Sequence, residues 1–237
     1  MLPVAILAGG LATRLRPLTE RVPKALLPVN GEPFLAHQLR LLKAAGIDRV
    51  VLCVGYLGDL IREFVGDGER FGMTVECCFD GPTPLGTAGA VKMALPQLGR
   101  QFFVLYGDSF LPCDYRAVMD AFESSGKQAL MTVYRNEGRW DASNIEFADG
   151  RILAYDKTNP SRLMRHIDYG LGVFRDSAFA AVSGSEPYDL AALYRELLRG
   201  GELAGLEVGE RFYEIGSAEG LRELSEWLAR SASSGSE

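Results

Sequence analysis

The chain is expected to fold as an α/β domain, doubly wound around a mostly parallel central sheet with helices on both faces. Two observations carry this expectation. Through the first half, short apolar runs alternate with stretches of helical periodicity, the pattern of successive β-α-β units. The first run ends in a glycine pair, which suits a strand turning sharply into a loop at its carboxyl end. Beyond about residue 135 the alternation gives way to a hairpin pattern, so the sheet should become mixed there.

Val4 to Leu7 reads as the first strand, wholly apolar and closed by Gly9-Gly10. A helix is predicted from Pro33 to Ala45, with Leu35, Leu39 and Leu42 on one face and Gly46 as its C-terminal cap. His37 on that helix reads as a surface or interface residue, not a ligand. Arg49 to Val54 is the second strand, followed by a helix from Gly58 to Val65. Met73 to Phe79 is the third strand, Thr87 to Leu95 a helix, and Phe102 to Tyr106 a fourth strand. A helix from Asp114 to Ser124 and a strand from Ala129 to Tyr134 extend the series. Then Asn144 to Phe147 and Arg151 to Tyr155, joined by Ala148-Asp149-Gly150, form a predicted hairpin. Ile167 to Phe174 is a further strand, Tyr188 to Leu198 a helix, and Phe212 to Ile215 a late strand. A closing amphipathic helix spans Ala218 to Ala229, with Leu221, Leu224 and Leu228 on one side. The whole is a Rossmann-like α/β arrangement with a small mixed β region in its second half.

With 237 residues and no linker, residues 1–230 are expected to form one domain, and the Ser/Gly-rich segment 231–237 a disordered tail. The net charge of -6 argues against a nucleic-acid surface, which needs clustered Lys and Arg. No apolar run reaches the ~18 residues of a spanning helix, and no basic leader precedes the first strand. The expectation is a cytoplasmic protein, monomer or homodimer, without membrane or nucleic-acid partners. Cys53, Cys77, Cys78 and Cys113 lack paired C-x-x-C spacing, so free thiols are expected and zinc is not.

Four stretches carry chemistry. The first is Ala8-Gly9-Gly10-Leu11-Ala12-Thr13-Arg14-Leu15-Arg16-Pro17-Leu18-Thr19, followed by Pro23-Lys24-Ala25-Leu26-Leu27-Pro28-Val29. Glycines let the backbone lend N–H groups to an anion, and Arg14 and Lys24 add the neutralising charge that amides lack. Neither G-x-x-x-x-G-K-[ST] nor G-x-G-x-x-G is present, which disfavours a P-loop and a dinucleotide site. The second is Pro84-Leu85-Gly86-Thr87-Ala88-Gly89-Ala90, a glycine-punctuated helix entry. The third is the apolar run Phe102 to Tyr106 ending in Gly107-Asp108, a carboxylate where a metal on phosphates would sit. The fourth gathers Tyr155-Asp156-Lys157, the Asp168 to Phe174 run, and Phe212-Tyr213-Glu214-Ile215-Gly216-Ser217.

In this order, the segments resemble those of the sugar-1-phosphate nucleotidyltransferases, the nucleoside-triphosphate transferase family. The signature G-G-x-G-T-R-L-x-P-L-T with P-K-P-L-L-P-V is matched from Gly9 to Thr19 and Pro23 to Val29, with Ala12 for a glycine and Ala25 for a proline. Gly86-Thr87 matches L-G-T-A-x-A, Gly107-Asp108 the metal-binding G-D pair, and Lys157 the lysine of E-K-P. Glu214 stands at the aspartate of W-x-D-x-G-T, and Asp168 at the asparagine of N-A-G-I-Y-V-F. The chain is most similar to short single-domain members such as heptose-1-phosphate and mannose-1-phosphate guanylyltransferases.

The resemblance implies transfer of a nucleoside monophosphate from an NTP to a sugar 1-phosphate, releasing pyrophosphate. Arg14 and Lys24 would be catalytic, and Leu7, Ala8, Gly9, Gly10, Thr13, Gly86 and Thr87 nucleotide-binding. Lys157, Asp168, Gly170 and Asn144 would bind the sugar phosphate in the mixed β region, with Trp140 beside them, and Asp108 and Glu214 would hold Mg²⁺. No general base is required, because a phosphate monoester with a second pKa near ~6 is already largely dianionic. GTP with a manno-configured heptose or hexose 1-phosphate is the preferred pair. The thymidylyl branch places a base-reading glutamine upstream of Gly86, where this chain has Asp80-Gly81-Pro82-Thr83, so the base stays open. UTP or dTTP with a hexose 1-phosphate, a CTP-dependent phosphocholine-type enzyme, and a non-catalytic nucleotide-sugar sensor are the alternatives.

Overall fold

The computed structural model describes residues 1–10, 15, 17–81 and 83–234. It opens with β1 (Val4–Leu7), a small hairpin of β2 (Pro28–Val29) and β3 (Glu32–Pro33), then α1 (Phe34–Ala44), β4 (Arg49–Val54) and α2 (Gly58–Val65). There follow β5 (Thr74–Phe79), α3 (Gly86–Leu98), β6 (Gln101–Tyr106), β7 (Ser109–Phe110) and α4 (Tyr115–Ser125). Asp114 caps α4 by accepting from the Arg116 and Ala117 amides, which explains the sharp start of that helix. The second half adds β8 (Ala129–Arg135), β9 (Ile145–Ala148), β10 (Arg151–Tyr155) and β11 (His166–Arg175), then α5 (Leu190–Arg199), β12 (Leu203–Val208), β13 (Tyr213–Glu214) and α6 (Ala218–Ser234).

β5, β4, β1 and β6 lie side by side in parallel. Beyond β6 the sheet turns mixed: β11 runs antiparallel to both β6 and β8, and β12 pairs parallel with β8. The β9–β10 hairpin joins the start of β11 through His166 and Ile145. β1 is apolar throughout because both of its faces are covered. Val4 and Ile6 pack with Leu35, Leu39, Ile61 and Phe122 on one side of the sheet, and Ala5 with Val91, Ala94 and Tyr194 on the other. Helices thus cover both faces, as the alternation of elements requires.

Besides the short β2, β3 and β7, which are not expected from the sequence, β12 and α6 differ from expectation. No strand is expected at Leu203–Val208, where Gly205 interrupts the apolar run. In the fold a Cβ at that position would come within 2.8 Å of both Ile152 and Phe147, so the glycine is what lets β12 pass beneath the hairpin. α6 continues to Ser234, into the segment expected as a disordered tail, and Ser231 Oγ donates to the Trp227 carbonyl one turn back. Residues 235–237 lie outside the described residues. No helix among the described residues is long and apolar enough to cross a membrane.

Candidate active site

A cavity of about 490 Å³ opens at the carboxyl ends of β1, β5 and β6. Its floor is the turn after β1, pinned on both sides: the Ala8 amide donates to Cys53 O at 2.8 Å, and the Gly107 amide to Leu7 O at 3.0 Å. A Cβ on Gly107 would lie 2.5 Å from that same carbonyl, so only glycine lets the end of β6 close onto β1. Asp108 is thereby held at the rim. Gln38 of α1 secures this corner from behind, donating to Ser109 O at 2.8 Å and to Tyr106 O at 3.3 Å from a fully buried position. Sequence reasoning passed over Gln38, although its i+3 spacing from Leu35 places it on the apolar face of α1.

Three charged groups meet at this rim from distant segments. β13 pairs antiparallel with β7, matching Glu214 to Ser109, and the Ile215 amide donates to Asp108 O at 3.0 Å. The two carboxylates are brought together by that pairing. Lys24 sits in a 3-10 turn that Pro23 enters in extended conformation, and its Nζ reaches Asp108 Oδ2 at 2.6 Å. The Glu214 carboxyl is pushed up to about 7, first by withdrawal from bulk water in the cleft and then by the charge of Asp108 and of Asp141; Lys24 and Lys157 oppose the shift. The carboxylate oxygens of Asp108 and Glu214 at one rim form a donor set suited to a hard divalent cation. Asp108 and Glu214 therefore fit the Mg²⁺ role that the sequence motifs imply.

Leu7, Ala8, Gly9, Gly10, Gly86 and Thr87 all line the same cavity. Gly86 adopts φ +71, and a Cβ there would lie 2.6 Å from Tyr188 O, so the α3 entry is built against the loop before α5. Thr87 Oγ1 donates to Asp189 Oδ1 at 3.0 Å and accepts from the Leu190 amide at 2.7 Å. Its proton is thus committed within the fold, and toward a ligand the hydroxyl offers acceptor capacity only. Asp189, also passed over, caps α5 by accepting from the Ala191 amide. Thr13 and Arg14, together with the Ala12 departure, lie outside the described residues.

The expected sugar-phosphate group is gathered beside the cavity, but its polar atoms face one another. Asp168, with its side chain only 3% exposed, accepts from Lys157 Nζ at 3.0 Å, from Tyr155 OH at 3.3 Å and from the Gly170 amide at 3.1 Å. Three protein donors thus engage Asp168 in the folded chain, leaving about one of a carboxylate's four acceptor sites. Asn144 lies beside it, buried, with its Oδ1 accepting the Asp168 amide at 3.1 Å. Trp140 lies on the surface, with the Arg211 guanidinium 3.3 Å above its ring. Lys157 alone of this group presents an exposed charge, its Nζ 5.1 Å from the centre of the cavity-lining Tyr106 ring. Burial works against its ammonium, yet Asp168, followed by Asp189 and Glu214, raises its pKa above the usual lysine range.

Comparison with known proteins places this cleft in context. Residues 4–142 match the family model described as nucleotidyl transferase. The chain is 28% identical over 217 residues to mannose-1-phosphate guanyltransferase beta-B of Xenopus laevis, a match covering 89% of this chain and 60% of that protein. It is 28% identical over 221 residues to N-acetylmuramate alpha-1-phosphate uridylyltransferase of Neisseria meningitidis serogroup B, covering 92% and 94% of the two chains. The crystal structure of HddC from Yersinia pseudotuberculosis, complexed with GMP-PN, superposes with a TM-score of 0.80 at 22% identity, over 96% of this chain and all of that one. This last likeness is one of fold.

Proposed function

The chain belongs to the nucleotidyl transferase family, and we propose that it joins a nucleoside monophosphate from an NTP to a sugar 1-phosphate, with release of pyrophosphate. The observation that carries this reading is the meeting of Lys24, Asp108 and Glu214, from three separate segments, at one glycine-floored cleft on the carboxyl ends of parallel strands.

In this reading the triphosphate lies over the Ala8-Gly9-Gly10 turn, where backbone amides and Lys24 meet its charge. Lys157 orients the sugar phosphate from the neighbouring edge. A phosphate oxygen of the sugar 1-phosphate attacks the α-phosphorus, the bond from that phosphorus to the β-bridging oxygen breaks, and pyrophosphate leaves with the electron pair. No proton need be removed from the attacking dianion. Arg14 takes the role its motif implies, meeting charge on the leaving pyrophosphate. Asp108 and Glu214 would hold Mg²⁺, which when bound supplies neutralising charge to the phosphate oxygens. Lys24 touches only Oδ2 of Asp108, so its remaining N–H donors would be available to the α-phosphoryl group.

GTP with a manno-configured sugar 1-phosphate is the preferred pair, on the strength of the relatives named as mannose-1-phosphate guanyltransferases. The chain spans about 60% of the length of the first of these and 42% of the second. The uridylyltransferase relative, matched over 94% of its length, makes UTP the rival. A matrix of nucleoside triphosphates against sugar 1-phosphates, read by pyrophosphate release in Mg²⁺, tests the proposal. Highest turnover is expected for GTP with mannose or manno-heptose 1-phosphate. Best turnover with UTP would replace the substrate choice, and silence across the matrix would overturn the activity.

A further inference from the structure

The two carboxylates at the rim are brought together by a very short ladder. β7 and β13 share two residue pairs, Tyr213 with Phe110 and Glu214 with Ser109, and join no larger sheet among the described residues. An antiparallel pair of that length is not stable through its own hydrogen bonds, so packing has to supply its register. Successive side chains of a strand point to opposite faces. Glu214 lines the cleft, and Tyr213 with its partner Phe110 faces away from it, toward α6. Trp227 of α6 meets both rings, its centre 5.4 Å from that of Phe110 and 5.3 Å from that of Tyr213. Arg211 adds a second tie, its guanidinium 4.8 Å from the centre of the Tyr213 ring and ion-paired with Glu223 of α6.

This packing forms a small core apart from those on the two faces of the main sheet. Ile215 and Leu224 are wholly buried in it, and so is Val29 of β2, the strand that follows the Lys24 turn. Asn30 Nδ2 donates to Ser225 O at 2.9 Å and fastens the β2–β3 hairpin to the same helix. The segments that carry Lys24, Asp108 and Glu214 thus share one apolar core, closed by α6 on the side away from the cleft. Resting on the reading of Asp108 and Glu214 as the Mg²⁺ ligands, we infer that Trp227 is the positioning residue for that pair: from behind the β7–β13 ladder it fixes the spacing of the two carboxylates, and with it the affinity for the cation. Trp227 lies outside the residues lining the cavity, so it acts only through Phe110 and Tyr213. Without its ring, Asp108 keeps its anchor in the Gly107 turn, while Glu214 loses the packing that holds β13 in register.

The test uses the full chain and its Trp227→Ala and Trp227→Phe variants, with Mn²⁺ alone as the probe and its binding read from the loss of the free-ion paramagnetic resonance. Trp227→Ala is expected to weaken Mn²⁺ by about 10- to 100-fold, the loss typical when the support of a metal ligand is removed. Trp227→Phe keeps a ring against Phe110 and Tyr213 and should stay within about 3-fold of wild type. Pyrophosphate release titrated with Mg²⁺ should show the same shift in the concentration for half-maximal rate, with the rate at saturating Mg²⁺ largely recovered. If Trp227→Ala does not fold by circular dichroism, Tyr213→Leu removes the same ring contact from the other side and should weaken Mn²⁺ likewise. Unchanged Mn²⁺ affinity in the folded variant overturns the inference. So does a fall in kcat that Mg²⁺ does not recover, which would make the role of Trp227 structural only, and so does a wild type that binds no Mn²⁺. Trp227-dependent Mn²⁺ binding in a wild type that releases no pyrophosphate would sink the transferase activity and leave the positioning role standing; release with Trp227-independent Mn²⁺ binding would do the reverse.

Discussion

Among the parallel strands the cleft is lined mainly by backbone and by charges poised at its rim, whereas past β6 the polar side chains have already found partners. On the first side, Ala8 to Gly10 present a bare turn, Asp80 has no side-chain partner among the described residues, and Lys24 and Asp108 hold each other across the opening. On the second, Asp168 is engaged by Lys157, Tyr155 and Gly170, and Asn144 Oδ1 accepts the Asp168 amide. The difference follows from topology. Strand ends of a parallel sheet leave amides without ladder partners, while the antiparallel β11 threads between neighbours that satisfy it. One side is open to an anion, and on the other Lys157 keeps one of its three N–H donors on Asp168.

The sharpest way to break this contrast is Lys24→Ala. If the nucleotide side works by poised charge, kcat should fall by about 10²–10³-fold with an unchanged melting temperature, the size of loss seen when one stabilising donor is removed. A fall in stability with little change in turnover would make Lys24 a structural partner of Asp108 instead. Asp168→Ala probes the other side, where the damage should appear first in folding. Stranding the Tyr155 hydroxyl and the Gly170 amide should cost about 1.5–3 kcal/mol in urea denaturation, and Asp168→Asn, which still accepts, should recover much of it.

Gly107→Ala asks whether the nucleotide side depends on backbone approach. The new methyl meets Leu7 O, a backbone atom that cannot swing aside, so about 1–3 kcal/mol of stability should be lost. Wild-type unfolding behaviour would show that the β1–β6 corner is looser than its geometry.

The smallest effect concerns Glu214 and pH. Its carboxyl has a native pKa of about 7 against an ordinary value of 4.5, so the folded state holds the proton more tightly than the unfolded chain. Its contribution to stability is present below about pH 4.5, declines as pH rises to about 7, and is constant beyond. Glu214→Gln removes that decline, so the melting temperature of the variant minus that of wild type should grow from pH 5 to pH 8. Added Mg²⁺ should reverse the difference at pH 8, since only wild type then gains a full carboxylate pair; a difference flat with pH would place Glu214 in open solvent.

Much of the parallel half was legible in the chain. α2 falls on Gly58–Val65 as its periodicity predicts, and β4 on Arg49–Val54, because apolar runs bounded by glycines leave little choice of register. β12 was not legible, since Gly205 breaks the pattern for a reason that lies in Ile152 and Phe147. The Lys24, Asp108 and Glu214 meeting was visible through motifs but not through spacing, for the three residues lie far apart in the chain. For Asn144 and Asp168 the motifs gave a position in the mixed β region but not the protein donors that engage them there. Motif spacing locates a side chain, but hydrogen-bond capacity is allotted only once neighbours from other strands arrive, and the same holds for Thr87, whose proton goes to Asp189 102 positions away.

That last contact also bears on when the cleft comes into being. The Tyr188 amide donates to Leu85 O, the Tyr188 carbonyl receives the Ala88 and Gly89 amides, and Thr87 accepts from Leu190. One wall of the nucleotide cleft is therefore completed by a loop synthesised about a hundred residues after the α3 entry that it meets. Long loops close slowly relative to local structure. A growing chain would have β1, β4, β5 and β6 in hand well before it could retain a nucleotide, and added ligand would speed the final docking step rather than the first collapse.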